Sequence, residues 1–414
     1  MTTSVTAGVR ARVLAALVLT TIASQFFRAS TAAIAPDLIA DLGLSAQQFG
    51  AANGAFFLAI GLVQIPVGIL FDRYGPRRVT TALTGLAVVG AVWQALCTSG
   101  AEFLAARLLL GVGCAGSFMS AVLVSSRWFG GDRLATVLSW VFALSQIGLM
   151  MATTPLAAAS AAFGWRAAYL AAAVVALVIG AAFFVLVRDA PPDSPPAAAR
   201  GETIMEALRG VVQVWRTKGL GPVLAIHSVA YASMATVLSV WAGKYLADVH
   251  GLDAVQRGNV LLAMTAFQIA GTLAFGPLDR LFNTRKWIIV AGAVLSLCTL
   301  GPLALMAGTG LWTAAALLCL HCAVTAYGIV IVAHGRSLFP AHLAGRGVTT
   351  VNIAQVAGSA AMPWLTGIVI GLFPVAGGGG YAEIAYRAAF GAIGVAVVAG
   401  LAVYLTARDA KPRG

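Results

Sequence analysis

Gly68-Ile-Leu-Phe-Asp72-Arg73-Tyr-Gly75-Pro-Arg77-Arg78 lies between two apolar runs, Ala55 to Leu70 before it and Val79 to Ala95 after it. An acid and three arginines are gathered in a few residues that also hold glycine and proline, so the stretch reads as a tight charged turn. Its flanks are too long and too apolar for a surface loop of a soluble domain. Crossing a bilayer takes roughly 20 mostly apolar residues, so the chain is expected to cross, turn at the membrane edge and cross back.

The rest of the chain has the same character. Of its 414 residues 60% are hydrophobic and 10% charged, with a mean hydropathy of +0.91, against about 25% charged in a soluble domain. Runs of spanning length fall near 12–36, 49–71, 79–99, 101–124, 135–161 and 166–187, then near 221–246, 258–279, 287–307, 310–333, 347–372 and 384–407. The first of these follows Arg10 and Arg12 and could pass for a signal peptide; the apolar runs behind it make it the first transmembrane helix. Net charge is +12. All but six of the 26 basic residues (Arg28, Arg107, Arg166, Lys244, Arg257 and Arg387) fall in segments on one side of a twelve-span chain. That asymmetry places both termini in the cytoplasm and makes the charge a topology signal, with nucleic acid excluded as a partner.

Between the two sets of six runs, Asp189-Ala-Pro-Pro-Asp-Ser-Pro-Pro-Ala-Ala-Ala-Arg200 reads as an extended linker. Ile204, Leu208, Val211, Val212 and Trp215 then recur at helical spacing opposite Glu202, Glu206, Arg209 and Arg216, as in a helix lying on the membrane face. The division is 1–188, a six-helix bundle; 189–219, a cytoplasmic linker; and 220–414, a second bundle. The halves are related: Asp72-Arg73 returns as Asp279-Arg280, and Arg285-Lys286 stands for Arg77-Arg78, without the glycine after Asp-Arg.

The pattern Gly-x-x-x-Asp-Arg-x-Gly-x-Arg-Arg, with the span count and the internal repeat, resembles the loop 2–3 motif of the major facilitator superfamily. Arg107-Leu-Leu-Leu-Gly111-Val-Gly113 is similar to that family's Arg-x-x-x-Gly-x-Gly pattern. The resemblance implies an all-α integral membrane protein of twelve helices in two pseudo-symmetric bundles, in the inner membrane and monomeric, working by alternating access. It makes Gly68, Asp72, Arg73, Gly75, Arg77 and Arg78, with Asp279 and Arg280, a cytoplasmic latch, and it associates Arg107 with proton coupling or helix packing. Span five, Gly148-Leu-Met-Met-Ala-Thr-Thr-Pro155-Leu, lacks the Gly-x-x-x-Gly-Pro-x-x-Gly-Gly pattern of the drug/proton antiporters. Phe26-Phe27-Arg28, Gly164-Trp165-Arg166 and His334-Gly-Arg336 look more like anion and organic-solute permeases.

Ionisable groups within spans are functional candidates by default. Arg28, about 24 Å along the first span at 1.5 Å per residue, is a candidate clamp for a carboxylate or oxyanion, or else a partner of Asp37 or Asp41. His321 is a candidate for substrate binding and for carrying a proton, or a neutral histidine bonded within the bundle. Tyr231 shares a helix face with His227, a weaker candidate, and Gln146, Asn352 and Gln355 are neutral groups for lining a cavity. No Asp or Glu lies deep in any of these runs, which favours an anionic substrate. Cys319 and Cys322, with Met150 and Met151, offer soft ligands for copper(I) but are read as packing groups; no metal or other cofactor is expected. Nothing resembles HExxH, GxSxG or paired carboxylates, so an enzyme is not expected. The alternatives kept open are a nitrate/nitrite-type porter, although spans two and eight lack the arginines that would imply, and a drug or metabolite exporter.

Overall fold

The computed structural model describes residues 7–191, 214–340, 344–375 and 380–412. Without water to satisfy the backbone, spanning segments must bond internally as helices. Eleven helical segments among the described residues are long and apolar enough to cross a membrane. The second of them, Ala46–Leu96, is two crossings: at Gly75 the backbone takes φ 78°, ψ 157° and doubles back, so that Val67 and Phe71 pack on Val79 and Leu83. Only glycine adopts that φ without strain. Twelve crossings result: α1 (Gly8–Leu42), α2 (46–74), α3 (76–96), α4 (Gly100–Trp128), α5 (Thr136–Phe163), α6 (Trp165–Leu186), α7 (Leu220–His250), α8 (Ala254–Leu281), α9 (Lys286–Leu305), α10 (Leu311–Ser337), α11 (Gly347–Gly371) and α12 (Glu383–Tyr404). The surface helix expected over 204–215 falls almost wholly outside the described residues.

The repeat is deeper than the Asp-Arg pairs. Ser45 and Gln48 cap the start of α2 reciprocally, at 3.0 and 3.2 Å, and Asp253 and Gln256 do the same for α8, at 3.1 and 2.8 Å. At the opposite end, Arg188-Asp189-Ala190 after α6 matches Arg408-Asp409-Ala410 after α12. Asp189 accepts from the Arg77 N–H at 2.6 Å and lies against Gly75, where a Cβ would strike its carboxylate. Asp409 accepts from the N–H groups of Arg285 and Lys286, at 3.1 and 2.9 Å, and from the Thr284 hydroxyl at 2.7 Å. Each carboxylate thus closes the positive start of a helix, α3 or α9. Asp72 is exposed and makes no hydrogen bond or ion pair among the described residues, whereas Asp279 pairs with Arg285 at 3.2 Å. Asp189, placed in the linker by its prolines, packs as part of the first half.

Partial burial opposes ionisation of Asp409, but the hydrogen bonds from Lys286, Thr284 and Arg285 outweigh it and hold its carboxyl below the usual value. A depressed native pKa contributes stability that is complete above the unfolded value, about 3.9, and is lost as pH falls through the native one. Asp409→Asn is therefore expected to lower the unfolding temperature modestly at pH 7. The gap from wild type should close below about pH 4; a gap independent of pH would show that the charge contributes nothing.

The halves meet at the end away from these charged turns. There Thr31 donates to Ser239 O at 3.2 Å, Tyr381 accepts from the Ala46 N–H at 3.2 Å, and Thr154 donates to Asn259 at 3.0 Å. Gly50 and Gly54 of α2 face the carbonyls of Pro363 and Ala360 on α11 so closely that neither leaves room for a Cβ, the small-residue packing typical of membrane helices. Trp241, at the end of a π-helical turn in α7 (Val237–Trp241), stacks edge-on against Phe49 and donates to Thr366 at 2.8 Å. Beside this seam, Asp248 in the last turn of α7 is buried with Lys244 at 2.6 Å and accepts from Tyr381 N–H and the Tyr386 hydroxyl. The acid-free reading of the apolar runs stops short of it, because α7 extends one turn past the run read from hydropathy.

Candidate functional site

On the turn-bearing side of the seam a cavity of about 310 Å³ opens between the halves, and Arg28 faces it. Its neighbours on α1 hold it there. Phe27 is buried and its carbonyl accepts from Arg107 Nη1 at 3.0 Å; Ser30 is paired with the Tyr169 hydroxyl, and Thr31 donates to Asn53 Oδ1 at 2.7 Å. With the back of α1 fixed, the Arg28 side chain extends between the halves. Its Nη1 donates to the Tyr231 hydroxyl at 3.3 Å and its guanidinium lies 5.7 Å from the Phe57 ring centroid. Its Nε is buried without a partner. The two acids in reach by sequence are taken: Asp41 pairs with Arg166 at 2.9 Å and Asp37 lies 4.0 Å from Arg257. Arg28 thus has no counter-ion among the described residues.

Neutral polar groups complete the walls. Gln25 donates to Gln146 Oε1 at 3.2 Å, joining α1 to α5, and Gln64, Ser145, Asn352 and Gln355 border the same space. Gln355 also borders an adjoining cavity of about 220 Å³ in the second half, lined by His227, Tyr231, Gln268, Thr272 and Thr325. Breaks in helix geometry fall beside both spaces, at Ala115–Gly116 in α4 and Thr325–Tyr327 in α10. Interrupted backbone at membrane depth is tolerated where it lines a cavity.

Arg28, Asn352 and Gln355, from α1 and α11, therefore border one cavity. Tyr231 of α7 meets Arg28 from the adjoining one, and Gln146 of α5 borders neither, being joined to the site through Gln25. Arg107 and His321 stand apart. Arg107 is buried behind α1, donating to Phe27 O and to Asn53 Oδ1 with Phe56 under its plane at 4.4 Å. It ties α1, α2 and α4 together. His321 lies inside the second half between Ser233 at 2.9 Å and Thr299 at 3.0 Å, linking α7, α9 and α10, and it borders neither cavity. Sequence reading passed over Gln25, Gln64 and Ser145. Gln25 was the findable one, a lone amide three residues before Arg28 in an otherwise apolar stretch. Cys322 is buried, while Cys319 borders a separate apolar recess with Trp312 and Phe267.

The family model of the Major Facilitator Superfamily matches residues 17–363. The chain belongs to that superfamily. It is a multi-pass membrane transporter, not an enzyme. Among curated superfamily relatives, a probable L-galactonate transporter of Escherichia coli K12 is 27% identical over 71% of this chain and 69% of its own length. A tartrate transporter described as putative, of Agrobacterium vitis, is 23% identical over 62% and 63%, so the chain spans under two thirds of that relative. The multidrug resistance protein MdtL of Escherichia coli O9:H4 is 23% identical over 81% of this chain and 83% of its own. A bacterial homologue of the human lysosomal transporter Spinster, crystallised inward-facing and occupied, superposes with a TM-score of 0.78 at 17% identity, over 97% of this chain and 95% of that one. That likeness concerns the fold.

Proposed function

We propose that this transporter carries a small organic anion by alternating access, importing it across the cytoplasmic membrane as a monomer, with a proton as the candidate coupling ion. The charged turns and both termini then face the cytoplasm, in keeping with the distribution of basic residues, and the open cavity is the inward-facing site. The observation that carries the reading is Arg28: a guanidinium in a cavity between the halves, partly satisfied by Tyr231 and lacking any acid partner among the described residues. An unpaired charge within a membrane is costly, and an anionic ligand removes that cost. The names of two relatives, an L-galactonate and a tartrate transporter, agree with an organic acid.

Export is the second reading, favoured by the similarity to MdtL and opposed by the span-five sequence around Gly148 and Pro155. Counterflow in proteoliposomes separates the two classes of substrate. Liposomes loaded with unlabelled hydroxy acids are expected to accumulate the labelled acid, and those loaded with a cationic dye are not. Accumulation of the dye alone would reject the organic-anion reading in favour of drug export.

A further inference from the structure

The adjoining cavity contains a group that the Arg28 reading leaves unused. His227 is 1% exposed, and neither ring nitrogen has a hydrogen-bond partner. Gln355 approaches the ring without completing a hydrogen bond to it. Across the same space the Oε1 of Gln268 is buried and equally unpaired. A neutral imidazole offers one donor and one acceptor, and an amide oxygen accepts two hydrogen bonds. Leaving such groups buried and unpaired is unfavourable, and the contrast with His321, whose two nitrogens meet Ser233 and Thr299, shows what a satisfied histidine looks like in this bundle. His227 precedes Tyr231 by four residues on α7, just over one helical turn or about 6 Å toward the charged turns, and the Tyr231 hydroxyl already touches Arg28. The unpaired groups therefore stand beyond Arg28, at the far side of Tyr231 from it.

We propose that His227 and Gln268 form the second end of the ligand site and bind the hydroxyl groups of a polyhydroxy carboxylate whose carboxylate rests on Arg28. The inference builds on the organic-anion reading and narrows it. Hydroxyls both donate and accept, which matches an imidazole facing an amide oxygen; an unsubstituted fatty acid would leave all three polar atoms bare. An acid as short as lactate, held at Arg28, does not extend past Tyr231. Gln355, bordering both spaces, is placed to contact the middle of the chain.

Two probes of equal length and charge, gluconate and hexanoate, test this, with sorbitol as the uncharged polyol, each titrated against purified protein by calorimetry. Wild type is expected to bind gluconate at least about tenfold more tightly than hexanoate and not to bind sorbitol. His227→Ala and, separately, Gln268→Leu should each weaken gluconate about tenfold and leave hexanoate within about twofold, while His227→Gln keeps part of the affinity. Equal losses for both acids in both variants, or no preference for gluconate in wild type, would overturn the second end and leave the Arg28 clamp standing. Tight sorbitol binding, or no binding of either acid, would overturn the clamp itself and this inference with it.

Discussion

Replacing Arg28 with alanine is expected to abolish uptake of the organic acid and weaken its binding about 100-fold, while the empty protein becomes no less stable. The two halves of that outcome come from one fact. In the empty cavity Arg28 is a cation with one hydrogen bond, to Tyr231, an aromatic face at 5.7 Å and no acid. Removing an uncompensated charge from a poorly solvated site relieves desolvation, which offsets the packing lost with the side chain. On the proposed reading, the same guanidinium in the occupied cavity forms charge-assisted bonds to a carboxylate, each worth about 1.5–3 kcal/mol, and a pair at the lower figure gives the stated loss at about 1.4 kcal/mol per tenfold. Arg28→Lys keeps the charge but not the planar fork and should lose about tenfold. The measurement is thermal unfolding with and without substrate. Saturating ligand at 100 times Kd adds about 2.7 kcal/mol to wild type, and that increment should vanish in Arg28→Ala with the ligand-free midpoint unmoved or raised. A variant that instead unfolds early when empty yet keeps its ligand increment would make Arg28 a structural residue.

The same comparison of empty and occupied states separates Arg28 from Arg107, and it marks how far the sequence could be read. Both are arginines inside apolar spans, and composition treats them alike. Arg107 has the Phe27 carbonyl, Asn53 and the Phe56 face; Arg28 has an opening. The fold was legible because its signals are local: span lengths, the turn at Gly75, the asymmetry of basic residues and the echo of Asp72-Arg73 in Asp279-Arg280. The site was legible in its residue types but not in its grouping. In a soluble helix the polar stripe tells which face looks outward. Here lipid and bundle interior are both apolar, so the helices are hydrophobic around most of their circumference and facing is hidden. His227 and His321 show the consequence, each a histidine within a span, one bordering a cavity and one bonded inside the bundle. The Arg-Asp-Ala repeat at Asp189 and Asp409 was visible in the letters, but the prolines that follow Asp189 drew the linker boundary in front of it. The π-helical turn that places Trp241 leaves no composition signal at all.

Gly54→Leu is expected to reduce transport at least tenfold by prying open the seam on the far side of the cavity. A Cβ at this position falls on the Ala360 carbonyl, which is backbone and cannot rotate aside. One turn earlier, Gly50 meets Pro363 in the same way, so α2 and α11 must separate to admit the side chain. Overpacking of this kind costs about 1–3 kcal/mol, a factor of roughly 5 to 150 in a two-state equilibrium. The cost falls on the state in which this end is closed and is absent when it is open, so the population shifts toward the open form. Alternating access needs both states, and a transporter held in one stops cycling even where its ligand groups are intact. A reporter cysteine at position 31 follows the shift, in a background with Cys97, Cys114, Cys298, Cys319 and Cys322 replaced. Thr31 is wholly buried beneath the seam, donating to Asn53 and to Ser239 O. Thr31→Cys should react slowly with a maleimide in the parent, faster with Gly54→Ala and fastest with Gly54→Leu. Gly85→Leu, where nothing lies within 4 Å of the added Cβ, is the matched control and should change neither labelling nor transport. If Gly54→Leu transports and labels like that control, the contact between α2 and α11 is not what closes this end, and the closure rests on the polar links at Thr154 and Arg257 instead.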